Sequence, residues 1–181
     1  MQDGALEDGP EARARLVCLR LLTHAPQTRA QLAAALSKRG IPAEIADNVL
    51  KRFTDVGLID DAAFARAWVE SRHYSRGLAG RALTAELKQR GVADDEIREA
   101  VAELGPDAEV ATARELVARK LAATKGQPTQ ARVRRLTGML ARKGYPPGLA
   151  FRVIREAIGT EGADADLGEE PPFDEAYIDT E

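Results

Sequence analysis

Two adjacent carboxylates, Asp60 and Asp61, stand in the stretch GLIDDAAFARAWVESR (57–72), just ahead of the chain's only tryptophan. Such a pair can bind a divalent cation or divide acid and base work between its members. Either task needs other polar groups to converge on it, and none stands nearby in sequence. The same residues also have a structural reading. Asp is a favoured helix N-cap, because its side chain accepts an orphan N–H of the first turn. With Asp60 as the cap, Ile59 and Phe64 occupy the two positions of a hydrophobic staple. Asp61 then meets the positive end of the helix dipole. Phe64 and Trp68, four apart, share a face expected to anchor the core. Asp60, Asp61, Phe64 and Trp68 are therefore read as a structural motif, with contact to a partner as the other role open to the acids.

The remaining chemically capable residues are few. His24 ends an apolar run before Ala25-Pro26, where a histidine is ordinary at a helix C-terminus. His73, beside Tyr74 in SRHYSR, is expected to be exposed or against a partner rather than catalytic. Neither histidine has a partner at metal-ligand spacing. The lone Cys18 lies in RLVCLRLL, so a buried inert thiol is expected. One cysteine fits a reducing compartment and allows no internal disulfide. No glycine-rich phosphate loop is present. The expectation is a protein with no catalytic residues, no metal and no cofactor.

The elements that carry these residues come from a repeat. LSKRGIPAEIADNVL (36–50), LKQRGVADDEIREAV (87–101) and LARKGYPPGLAFRVI (140–154) align without gaps. Each has Leu, three residues, Gly, then an apolar residue, and Leu32, Leu83 and Leu136 stand one turn earlier. Leucines four apart mark a buried helix face. Arg39, Arg90 and Lys143 suit the last turn of that helix, and Gly40, Gly91 and Gly144 can take the left-handed conformation that stops it. A second helix follows each glycine, burying Ile45 and Val49, Ile97 and Val101, or Leu149 and Val153. A further helical pattern precedes each pair, at 12–24, 61–73 and 107–123. The fold class expected is all-α: an elongated tandem array of three three-helix repeats, at 12–59, 60–105 and 106–160. Neighbouring repeats are expected to share contacts, since a unit this small is marginal alone.

Charge divides along the same lines. Residues 1–11 form an acidic extension and 161–181 an acidic tail, and neither holds a Lys or Arg. The 149 residues between them hold all 26 Lys and Arg against 16 acids. A basic body suits a polyanion or an acidic protein face. The tail is expected to be disordered, acting as a solubiliser or competing with phosphate for the body. No apolar run approaches the ~18 residues that span a bilayer. The first residues lack a signal-peptide pattern, so a cytoplasmic protein without membrane contact is expected.

The stretch 57–72, followed by SRGLAGRALTAELKQRGV (75–92) and later by LARKGYPPGLAFRVIREAI (140–158), resembles the RecX family of regulatory proteins over residues 12–158. The Asp pair, Phe64, Ala65, Trp68 and the Arg-Gly-rich segment carry the resemblance, with Arg90 where that pattern more usually has Lys. The resemblance implies a non-enzymatic modulator that binds RecA protein and RecA–DNA filaments, and a monomer is expected. It would lie in the filament groove and inhibit ATP hydrolysis, strand exchange and RecA-assisted repressor cleavage, modulating repair, recombination and the SOS response. The alternative from the residues alone is a helical module that binds single- or double-stranded DNA without RecA, although eight aromatics in all limit base stacking.

Candidate partner-binding residues are basic positions off the leucine stripes. Arg72, Arg76 and Arg81 flank the joint SRGLAG, and Lys88 lies seven residues beyond Arg81. Arg132, Arg134 and Arg135 crowd the start of the helix containing Leu136, where the dipole gives positive charge no support. Arg142 and Lys143 have the helix-end explanation instead.

Overall fold

A computed structural model describes residues 9–160. Nine helices and no strand occur among the described residues. They are α1 (Pro10–His24), α2 (Arg29–Ser37), α3 (Ala43–Asp55), α4 (Asp61–Arg76), α5 (Gly80–Gln89), α6 (Asp94–Ala102), α7 (Pro106–Ala122), α8 (Thr129–Arg142) and α9 (Pro147–Thr160). They fall into three consecutive three-helix repeats. The acidic tail and the first eight residues lie outside the described part.

The repeat signature is the middle helix and the turn that ends it. Leu32, Leu83 and Leu136 are fully buried, as are Leu36, Leu87 and Leu140. Each middle helix closes with the same pair of bonds. Ile41 N–H donates to Leu36 C=O (3.2 Å), Val92 to Leu87 (3.3 Å) and Tyr145 to Leu140 (3.1 Å), while Gly40, Gly91 and Gly144 N–H donate three residues back. This is the Schellman closure, in which an apolar residue beyond the glycine packs on the helix it has left. Ile41, Val92 and Tyr145 are accordingly buried. Arg39 and Arg90 turn their guanidinium groups back onto the carbonyls of Ala35 (2.9 Å) and Glu86 (3.0 Å), as positive groups at a helix C-terminus should.

The chain divides into two compact units. One holds the described residues up to Ser71 together with Thr84–Glu103. The other holds Arg72–Leu83 and the described residues from Leu104. In the first unit α1, α2 and α3 pack on one another around Ala14, Cys18, Leu32, Leu36, Val49, Leu50, Phe53 and Ile59. Burial raises the Cys18 thiol above its ordinary pKa, which keeps it protonated and inert. In the second unit α7, α8 and α9 pack together around Val117, Leu121, Leu136, Leu140, Tyr145, Val153, Ile154 and Ile158.

Each unit contains one joint between successive repeats, and the two joints have the same design. In the first unit the Thr28 hydroxyl donates to the Arg90 carbonyl (2.6 Å). Arg29 N–H donates to the Asp61 carboxylate (2.9 Å), and Ala30 lies against Gly91. In the second unit Ala79 N–H donates to the Lys143 carbonyl (2.8 Å). Gly80 N–H donates to the Glu109 carboxylate (2.6 Å), and Ala82 lies against Gly144. In both, a glycine turn docks on the start of the preceding repeat's middle helix, and an acid accepts one of that helix's orphan N–H groups. Gly91 (φ 75°) and Gly144 (φ 85°) are required twice over: by the left-handed backbone and by the close approach, since a Cβ there would collide with Ala30 or with the backbone nitrogen of Ala82. Gly40 has the same backbone (φ 70°) but open space around it.

Candidate partner-binding surface

The signature stretch folds as a helix start. Asp60 Oδ1 accepts the N–H of Ala63 at 2.7 Å, and Asp60 C=O accepts the N–H of Phe64 at 2.9 Å, so Asp60 caps α4. Asp61 is spent on a different helix: it caps α2 through Arg29 N–H. Burial raises the Asp61 carboxyl above the usual carboxylate range, opposed by the backbone and charge of Arg29. Glu96 is also raised, first by burial and then by repulsion from Asp61, Asp95 and Asp60. No group of three or more His, Cys, Asp or Glu among the described residues is arranged to hold a metal ion.

Trp68 differs from its expected place. It is half-buried rather than in the core. Its ring stacks on Phe64 (centroids 5.7 Å, planes 15° apart), and the Arg90 guanidinium lies over it at 3.7 Å. Its Nε1–H donates to Glu86 at 2.8 Å. Ile59, not Trp68, enters the core of the first unit. The physical reason is the indole N–H: it needs a polar partner, and Glu86 supplies one at the edge of the fold.

His73 also departs from expectation. It is buried, 1% exposed. Its Nδ1 lies 2.9 Å from the Leu78 carbonyl, and its Nε2 lies 2.8 Å from the Thr112 hydroxyl. A carbonyl can only accept, so Nδ1–H donates to Leu78, and Nε2 is the ring nitrogen that meets the Thr112 hydroxyl. The ring bridges the end of α4 to α7.

Of the basic candidates, Arg132 is placed inward. It is 7% exposed, with Nε donating to the Thr124 hydroxyl (3.3 Å) and Nη2 near the Leu121 carbonyl (3.4 Å). The reason lies in the repeat. Arg132 stands four residues before Leu136, on the same stripe, and aligns with the buried Thr28 and Ala79. Arg134 and Arg135 are exposed, and Arg135 donates to Gln127 (3.0 Å). Arg81 and Lys88 are exposed, Lys88 paired with Asp94 at 3.0 Å. An exposed pair of this kind is worth ~0–1 kcal/mol and is readily exchanged. Arg72 is half-buried.

Arg76 belongs to a cleft of about 610 Å³ in the second unit. The cleft is lined by Tyr74, Arg76, Arg119, Lys143 and Glu115, with His73 and Thr112 at its wall. The Lys143 ammonium donates to the Arg76 carbonyl. Burial lowers the Lys143 pKa, and the charges of Arg76 and Arg119 lower it further, so the three cations are electrostatically coupled. Arg119 and Tyr74 were not legible as members of this group. The only signal was the sequence RHYSR, in which a tyrosine interrupts basic residues.

Comparison with known proteins fits all three repeats. Family models described as the first, second and third three-helix domains of RecX match residues 14–53, 60–101 and 107–154. The chain is 62% identical over 156 residues to the regulatory protein RecX of Thermobifida fusca, covering 86% of this chain and 84% of that one. It is 58% identical over 162 residues to that of Streptomyces coelicolor, covering 89% and 86%. It is 47% identical over 156 residues to that of Mycobacterium marinum, covering 86% and 90%. The crystal structure of RecX from Lactobacillus salivarius shares the fold, with a TM-score of 0.76 at 15% identity over 82% of this chain and 97% of that one. With each three-helix unit matched in order and relatives named as regulatory proteins, the chain belongs to the RecX family of regulatory proteins.

Proposed function

We propose that this chain regulates the RecA recombinase by binding in the groove of the RecA–DNA filament, restraining ATP hydrolysis, strand exchange and RecA-assisted repressor cleavage. The observation that carries the reading is family membership across all three repeats. The basic body supports it, because a filament built on DNA presents phosphate along its length. Arg72, Arg76, Arg81 and Lys88 of the second repeat and Arg134 and Arg135 of the third are the proposed contacts. Arg132 leaves that set, since its guanidinium is occupied inside the third repeat. The role is one of binding, with no chemical step assigned to any residue.

Binding of the full chain to labelled single-stranded DNA, naked and RecA-coated, at two salt concentrations tests this. The coated strand should bind at least about tenfold more tightly at the higher salt, because purely phosphate-driven affinity falls steeply with salt. Equal affinity for both strands would instead support a nucleic-acid-binding module that acts without RecA.

A further inference from the structure

Tyr74 is the most exposed large hydrophobic residue among those described, at 78%. Its ring meets the His73 ring edge-on (centroids 5.5 Å, planes 75° apart), and His73 is fixed by Leu78 on one side and Thr112 on the other. The rest of the Tyr74 ring is open to solvent, so a flat ring can stack on it. Beside it, α4, α7 and the turn after α8 bring Arg76, Arg119 and Lys143 to one cleft. Glu115 is the one carboxylate among the cleft's lining residues, so positive charge is in excess. Arg119 makes no ion pair among the described residues. Like charges gathered this way repel one another, and an anion relieves that cost.

We propose that this cleft binds single-stranded nucleic acid, one base stacking on Tyr74 while the adjoining phosphates sit among Arg76, Arg119 and Lys143. The combination of a flat aromatic face with a cationic groove is what a single strand needs: base stacking independent of sequence, and charge that follows the backbone. A duplex hides its base faces and would leave Tyr74 unused. An acidic protein segment could meet the cations, but only a nucleic-acid strand joins a ring face to a phosphate in every unit. The volume lies within the ~300–1,000 Å³ of clefts that take small ligands, enough for a nucleotide within a longer strand. The site needs no RecA, so it stands or falls apart from the regulatory reading. Within that reading it would give the protein its own hold on the DNA strand.

The test is fluorescence anisotropy of a labelled oligothymidylate of about fifteen nucleotides, titrated with the full chain at low salt in the absence of RecA. Tyr74→Ala should weaken binding about tenfold and Tyr74→Phe should not, since stacking needs the ring and not the hydroxyl. Arg119→Glu should weaken binding at least about tenfold and reduce the salt slope by about one. Tyr74 and Arg119 are both exposed, so these variants should fold, and circular dichroism would verify it. Arg13→Glu on α1 makes the same change in net charge and should bind like the unaltered protein. The proposal is overturned if the unaltered chain does not bind the oligonucleotide. It is overturned equally if Tyr74→Ala binds as tightly as Tyr74→Phe, or if Arg13→Glu weakens binding as much as Arg119→Glu. Displacement of the oligonucleotide by polyglutamate at matched charge, with Tyr74→Ala without effect, would assign the cleft to an acidic protein segment instead.

Discussion

Gly144→Ala should destabilise the second unit by about 3 kcal/mol, whereas Gly40→Ala should cost the first unit about 1 kcal/mol. Both glycines hold left-handed backbone, so both substitutions carry the strain of placing a Cβ there. Only Gly144 is docked. Its new methyl would collide with the Ala82 nitrogen and come within 2.8 Å of the Ala82 Cβ. The turn must then retreat, weakening the bond from Ala79 N–H to Lys143 C=O and that from the Tyr145 hydroxyl to Gly77 C=O. In thermal melts the difference of about 2 kcal/mol corresponds to roughly 4–8 °C for a chain of this size. Gly91→Ala should behave like Gly144→Ala, with one added test. Its obstacle is the Ala30 methyl, so in an Ala30→Gly background the same substitution should cost only the strain, about 1 kcal/mol. Equal losses at Gly40, Gly91 and Gly144 would mean that the joints are not tight.

Arg132→Ala and the pair Arg134→Ala with Arg135→Ala should separate stability from binding. Removing Arg132 leaves the buried Thr124 hydroxyl short of a donor and opens space beneath α8, a loss of about 2 kcal/mol. Removing the two exposed arginines should change stability by less than about 0.5 kcal/mol. If they touch the filament, the concentration for half-maximal inhibition of RecA should rise about tenfold, since arginine grips phosphate or carboxylate in bidentate fashion. Thermal unfolding and RecA ATPase assays on the same samples provide both readouts. A double variant that inhibits at the unaltered concentration would remove this face of α8 from the interface.

What the sequence made legible was local. The glycine stops, the leucine stripes and the Asp60 cap are each set within a few residues, by backbone geometry and helical period. What it hid was where a side chain meets a distant part of the chain. Asp61 caps a helix whose N-terminus lies 32 residues earlier. Trp68 finds Glu86 in the next helix and Arg90 in the turn that ends it. Arg132 is the instructive case, because its position was in the repeat. It stands four residues before Leu136, as Thr28 does before Leu32 and Ala79 before Leu83, and all three are buried. Charge made it look like surface, whereas the period placed it inside. The third repeat accommodates it by starting α8 seven residues before Leu136, where α2 and α5 start three before Leu32 and Leu83. That extra turn carries Arg132 beside Thr124 and Leu121. The cleft was hidden for the same reason, since Tyr74, Arg119 and Lys143 come from three separate segments.

RecA-catalysed ATP hydrolysis on single-stranded DNA, with this protein added at increasing sub-stoichiometric ratios, tests the regulatory reading most directly. The proposed function predicts a graded loss of hydrolysis well below one copy per RecA, because each bound copy would act on a filament of many subunits. Hydrolysis unchanged at every ratio, up to and beyond equimolar, would contradict it.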